Sequence, residues 1–141
     1  MSIVYTSGTT GLPKGCVLAH GYYVRVGTVM NRVHELTRDD VLLTALPMFH
    51  GGARMMVVAS GLVRGIPVVV EPEFSARGFF RRAAETGATV AYGVGAMGTA
   101  LLATSPGPAD RAHRLRAMML VPFPEDRQAE LAARFGVDVW A

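Results

Sequence analysis

Short apolar, β-branched runs recur along the chain at Val41–Leu46, Ile66–Val70, Thr89–Tyr92, Ala117–Val121 and Val137–Trp140. Such runs, bounded by turn residues, predict buried strands. Between them the apolar spacing becomes helical. Tyr22, Val26, Val29, Met30 and Val33 share one face of a helix over about Gly21–Glu35, with Arg25 and Arg32 on its other side. Ala53–Val63 is apolar nearly all round, which predicts a helix sandwiched in the interior. Further on, Ser75 is placed as an N-cap, Phe79, Phe80, Ala83 and Ala84 form a buried stripe, and Gly87 closes the helix. The last helix has Pro124 at its first position, Glu125 and Asp126 at the positive end of its dipole, Leu131 and Phe135 on one face, and Gly136 as terminator. Strand starts at 41, 66, 89, 117 and 137 are 25, 23, 28 and 20 residues apart, the rhythm of repeated β-α units. The expected fold class is α/β, a mostly parallel sheet with helices on both faces and right-handed crossovers. Ahead of these units, Ile3–Tyr5 and Cys16–Leu18 read as two short strands around a loop. The expected organisation is one α/β unit over 1–141, with a loop-bearing hairpin over 1–20 and repeated β-α units over 21–141.

Composition narrows the class. Of 141 residues, 50% are hydrophobic and 18% charged, which fits a globular domain and not a disordered segment. A chain this long buries roughly 68–70% of its unfolded surface, enough for one layered core. Cys16 is the only cysteine, which leaves no internal disulfide or Cys-based zinc cluster and suits a reducing compartment. The longest apolar run, Met55–Val63, falls short of the roughly 20 residues of a membrane helix and is interrupted by Ser60 and Gly61. Met1–Val4 carries no export signal, so the expected location is cytoplasmic with no membrane partner. Net charge is +3, and the basic residues are spread without a dense cluster, which argues against a nucleic-acid partner. Of the 14 basic residues only Lys14 is a lysine.

Lys14 belongs to the most informative stretch, Tyr5-Thr6-Ser7-Gly8-Thr9-Thr10-Gly11-Leu12-Pro13-Lys14-Gly15. Four Ser/Thr hydroxyls and three glycines surround the lysine. Glycines let successive N–H groups converge on one concavity, and such nests bind anions. Hydroxyls add donors, and the ammonium offsets charge on a transferring or leaving oxygen, so the segment suits a polyphosphate. It is not a Walker A loop, because Pro13 stands five residues after Gly8 and Gly15 follows the lysine. A plain flexible Gly/Ser/Thr connector is the alternative reading.

Tyr5–Gly15 resembles the phosphate-loop signature of the AMP-forming adenylating superfamily of acyl-CoA synthetases, luciferases and peptide-synthetase adenylation domains, at all eleven positions. The resemblance implies that Thr6, Ser7, Gly8, Thr9, Thr10 and Gly11 hold the β- and γ-phosphates of ATP with help from Lys14. Leu46–Ala53 is similar to the segment that borders the acyl carboxylate, which makes His50 a substrate contact and, with Lys14, a catalytic residue. Peptide-synthetase members tend to have an aspartate in this region, so His50 points to a plain carboxylic acid. The alternative is that His50 is merely a polar residue at a strand end. Thr89–Met97 lies where the family turns from a strand into a helix lining the acyl pocket, which makes Tyr92, Gly93 and Gly95 substrate-binding candidates; core packing explains Tyr92 and Met97 equally well.

Leu115–Phe123 stands where most members have a glycine-rich turn against adenine, and those glycines are missing. This departure, with Phe74–Arg77, His113–Arg116 and Arg134–Val137, is similar to the crotonobetaine/carnitine-CoA ligases. The family's Tyr-Gly-x-Thr-Glu run, ribose-binding acid and C-terminal lid are not within the 141 residues. The expectation is a central fragment of the large N-terminal domain of an acyl-CoA ligase, inactive alone and prone to self-association through uncovered faces. The intact enzyme would use ATP, Mg2+ and coenzyme A on a small carboxylic acid. The alternatives are a non-catalytic phosphate-binding or interaction module and a fragment of an amino-acid-activating adenylation domain. No metal-ligand set is expected. The Asp39–Asp40 pair reads as a solvated cap of a turn, and Cys16 lacks surroundings that would activate it.

Overall fold

The structure, a computed structural model, describes residues 2–6 and 11–141. Strands β1 (Ser2–Thr6) and β2 (Lys14–Leu18) form an antiparallel hairpin, and helix α1 (His20–Val33) follows. Strands β3 (Leu42–Thr44), β4 (Val68–Val70), β5 (Val90–Gly93), β6 (Ala117–Leu120) and β7 (Asp138–Trp140) make a second, all-parallel sheet in the order β4-β3-β5-β6-β7. Its crossovers carry a π-helical segment (Gly52–Val58) continuing into α2 (Ala59–Arg64), then α3 (Phe79–Thr86), α4 (Gly95–Leu102) and α5 (Glu125–Phe135).

Strand alternation explains the layering, because successive side chains point to opposite faces. Leu43, Ala91, Met118 and Leu120 join Phe79, Phe80, Leu101, Leu131 and Phe135, which places α3, α4 and α5 on one face. Leu42, Val90, Tyr92 and Met119 join Leu36, Val57 and Ile66, which places the π-helical segment and the turn after α1 on the other. The helices therefore flank the sheet on both sides, as the sequence rhythm predicts. Burying a side chain such as Leu131 or Phe135 contributes roughly 1.5–3 kcal/mol relative to exposure. Gly87 and Gly136 end α3 and α5 in the left-handed conformation at φ 68°, a backbone region that L side chains rarely adopt.

Three local readings need correction. The helix expected over Ala53–Val63 is π-helical through Val58, and it is covered on two sides rather than all round. Gly27 of α1 allows close approach, since a Cβ there would meet the Ala59 carbonyl oxygen at 2.6 Å. Leu62, however, is 78% exposed. Ser75 caps a turn and not the helix itself: its Oγ accepts from the Gly78 N–H at 3.3 Å, and α3 starts after Gly78. Asp40 is buried, not solvated. Its Oδ1 accepts from Thr89 Oγ1 at 2.6 Å and Arg116 Nε at 3.1 Å, and its Oδ2 from the Thr37 N–H at 2.8 Å and Arg116 Nη2 at 3.0 Å. Both oxygens are thus committed to protein donors, whereas Asp39 is exposed. Burial alone would raise the Asp40 carboxyl, but the Arg116, Thr37 and Thr89 hydrogen bonds and the Arg116 charge hold it well below the usual carboxylate range.

Candidate functional site

In an open parallel sheet, ligands collect beyond the C-terminal ends of the strands. Here the chain leaves β3 at Thr44 and passes through Leu46 into a turn in which the His50 N–H bonds the Pro47 carbonyl at 2.8 Å. His50 is exposed, and its Nδ1 accepts from the Gly52 N–H at 3.1 Å. A neutral ring accepting at Nδ1 carries its proton on Nε2. The ends of β3 and β5 are tied together by Thr44, which is fully buried. Its Oγ1 donates to the Tyr92 carbonyl at 3.0 Å and accepts from the Leu46 N–H at 3.1 Å. Gly93 closes β5, Gly95 opens α4 just beyond it, and His50 lies in the turn after β3, so all three follow the C-terminal ends of two neighbouring strands.

Gly95 opens α4 against the turn after β6, where Val121 and Pro122 are joined by a cis peptide. A Cβ at Gly95 would fall 1.9 Å from the Pro122 carbonyl oxygen, so only glycine permits this approach. Met97 fills the space beside Gly93, its sulfur 3.5 Å from the Val94 N–H. Tyr92 points the other way. Its side chain lies in the core, 4% exposed, with its hydroxyl 2.7 Å from His34 Nδ1. Burial pushes the phenol above its ordinary value. The core alternative thus describes the Tyr92 side chain.

The hairpin brings Thr6 and Lys14 directly opposite each other at the mouth of the connection, and side chains of such a pair share one face. Gly11, at φ 119°, holds a backbone position that disfavours other residues. Lys14 is exposed, and no acid among the described residues pairs with it. Ser7, Gly8, Thr9 and Thr10 lie outside the described residues. Among the described residues no three His, Cys, Asp or Glu side chains converge to hold a metal ion, and no helix is long and apolar enough to cross a membrane. Cys16 is exposed and free.

One residue of this region escaped the sequence reading. Arg54 is the lone charge in the apolar stretch 53–63, a signal that could have singled it out. It lies one helical turn after His50, and its N–H is 3.5 Å from the His50 carbonyl.

A parallel sheet covered on both faces, with exposed polar groups at its C-terminal edge, defines an open α/β ligand-binding fold. The chain belongs to the AMP-binding enzyme family, whose model matches residues 1–140. It is 32% identical over 134 residues to human long-chain fatty acid transport protein 1, covering 95% of this chain and 21% of that protein. Against crotonobetaine/carnitine–CoA ligase of Shigella sonnei the identity is 34% over 136 residues, covering 96% and 26%. Among solved structures, O-succinylbenzoate coenzyme A synthetase from Bacillus subtilis in complex with AMP superposes with a TM-score of 0.81 at 27% identity, covering 97% and 28%. The chain thus spans between a fifth and three tenths of the length of these relatives.

Proposed function

We propose that this chain is part of an ATP-dependent acyl-CoA ligase acting on a carboxylic acid. In the first step the carboxylate attacks the α-phosphorus of ATP, forming acyl-AMP and releasing pyrophosphate. In the second, the thiol of coenzyme A takes the acyl group and AMP leaves. The observation that carries this reading is the hairpin, which sets Thr6 and the exposed Lys14 on one face at the ends of a glycine-rich connection. There the ammonium offsets negative charge on the departing pyrophosphate. His50 donates from Nε2 to one oxygen of the acid and so orients the other for attack. Mg2+ would enter with the triphosphate, since it is held mainly by substrate phosphates and one or two carboxylates. The names of the relatives, a CoA ligase and a CoA synthetase among them, favour this reading over an amino-acid-activating domain.

Isothermal titration of the chain with pyrophosphate and with ATP tests the phosphate grip. Saturable binding of both is expected, weakened about tenfold by Lys14→Ala, as for loss of a charge-assisted hydrogen bond. Affinities unchanged in Lys14→Ala, or no binding at all, would remove the basis for this reading.

A further inference from the structure

Between the start of β1, α1, the 47–50 turn and the π-helical segment lies a recess of about 370 Å3, walled by Val24, Met48, Val58, Leu62 and Val63. Arg54 stands on the same wall. Its Nε is buried and makes no hydrogen bond, and its Nη2 reaches only the Phe49 carbonyl at 3.4 Å. No carboxylate among the described residues pairs with it. A guanidinium keeps its charge at any working pH, and a buried N–H without an acceptor is costly to fold around. The terminal nitrogens of the guanidinium stay open on this wall to an anionic acceptor supplied from outside.

The rest of the recess bears on the kind of molecule. Its walls are mainly aliphatic, so the acceptor must arrive on an apolar body. The two hydroxyls at its rim, those of Ser2 and Tyr23, are 2.5 Å apart and hydrogen-bonded to each other. The backbone contact between Arg54 and His50 puts the guanidinium-bearing residue one turn from the imidazole. We infer that the recess takes the far end of the acid substrate, and that Arg54 selects acids bearing a second anionic group, carboxylate or sulfonate, on a short apolar spacer. The assignment of the near end to His50 rests on the ligase reading; the recess and its unpaired guanidinium do not.

Adipate and hexanoate share a carboxylate and four methylenes and differ only at the far end. Titrated into the 141-residue chain, adipate is expected to bind about tenfold more tightly, as for one charge-assisted contact. Arg54→Ala should erase that preference and leave hexanoate affinity within about twofold, while Arg54→Lys should keep part of it. Circular dichroism reports whether each variant folds; if the alanine variant does not, Arg54→Gln replaces it. Equal affinities in the parent chain, binding of neither acid, or a preference surviving in the folded charge-removing variant overturns the inference. Pyrophosphate titrated into the same samples separates the two readings. Pyrophosphate bound without adipate preference sinks the role of Arg54 alone. Adipate preference without pyrophosphate binding sinks the ligase reading and leaves the recess standing.

Discussion

Gly95→Ala probes the tightest backbone contact at the strand ends. The added methyl would lie 1.9 Å from the Pro122 carbonyl oxygen, 3.0 Å from its carbon and 3.2 Å from Phe123 Cα. All three are main-chain atoms, so no side-chain rotation relieves the clash. Ordinary contact requires the start of α4 and the turn after β6 to separate by more than about 1 Å. That movement propagates into the β5–β6 pair, where Gly93 backs onto Leu120. Overpacking a well-packed site costs roughly 1–3 kcal/mol, and the rigid neighbours place this change at about 3 kcal/mol. For a chain of this size that lowers Tm by about 10 °C. Gly98→Ala is the contrast. There the new methyl meets only side-chain atoms, Leu120 Cδ1 at 2.8 Å and the Phe123 ring at 2.8 and 3.1 Å, which can give way. Alanine also favours the helix by up to about 1 kcal/mol, so the drop should be less than half as large. Thermal melts followed by circular dichroism decide the matter. A Gly95→Ala variant melting within about 2 °C of the parent, or a larger loss in Gly98→Ala, refutes the account of this junction.

Two further outcomes concern the buried polar groups. Arg116→Ala strands the Asp40 carboxylate among Thr37 and Thr89; with the arginine side chain 41% exposed and partly screened, we expect a loss of about 2 kcal/mol, read as a lower urea midpoint. Because the native carboxyl is held down, Asp40 contributes stability above about pH 4 that drains as the pH falls below that value; acid unfolding that is no steeper in the parent than in Asp40→Asn contradicts this. His34 is lowered by burial and then by the Arg116 charge, so the unfolded chain binds more protons below about pH 6.5 and acidification through that window destabilises the fold. Trp140, the only tryptophan, stacks on His34 at 4.4 Å and 14°, and its fluorescence should report a His34 midpoint below 6.5. A midpoint at or above 6.5 would show that His34 is not held neutral by its surroundings.

The strand rhythm was legible because each strand of a doubly covered sheet must be apolar on both faces, and few other segments of this chain are. Helices α3 and α5 were legible for a different reason, their one-sided stripes and glycine terminators. Helix α4 carries no such stripe. Gly95, Met97, Gly98, Leu101 and Leu102 are buried around most of its circumference, so its periodicity is flat and only the resemblance pointed to it. The Asp40–Arg116 pair joins residues 76 positions apart, beyond any local pattern. At the candidate site, the placement of His50 beyond a strand end and of Thr6 and Lys14 on a hairpin could be read because strand ends and glycine-rich connections are recognisable locally. The direction of the Tyr92 side chain could not, since period-2 alternation assigns a face only once neighbouring strands fix the register. Arg54 was hidden by the opposite effect, one charge discounted inside an apolar run.

Amide chemical shifts of the 15N-labelled chain, followed while pyrophosphate is added, address the phosphate grip at the level of single residues. We expect saturable shifts concentrated between Thr6 and Lys14, with the amides around Arg54 and along α5 unmoved. Shifts scattered over the surface arginines, with the hairpin connection silent, would contradict it.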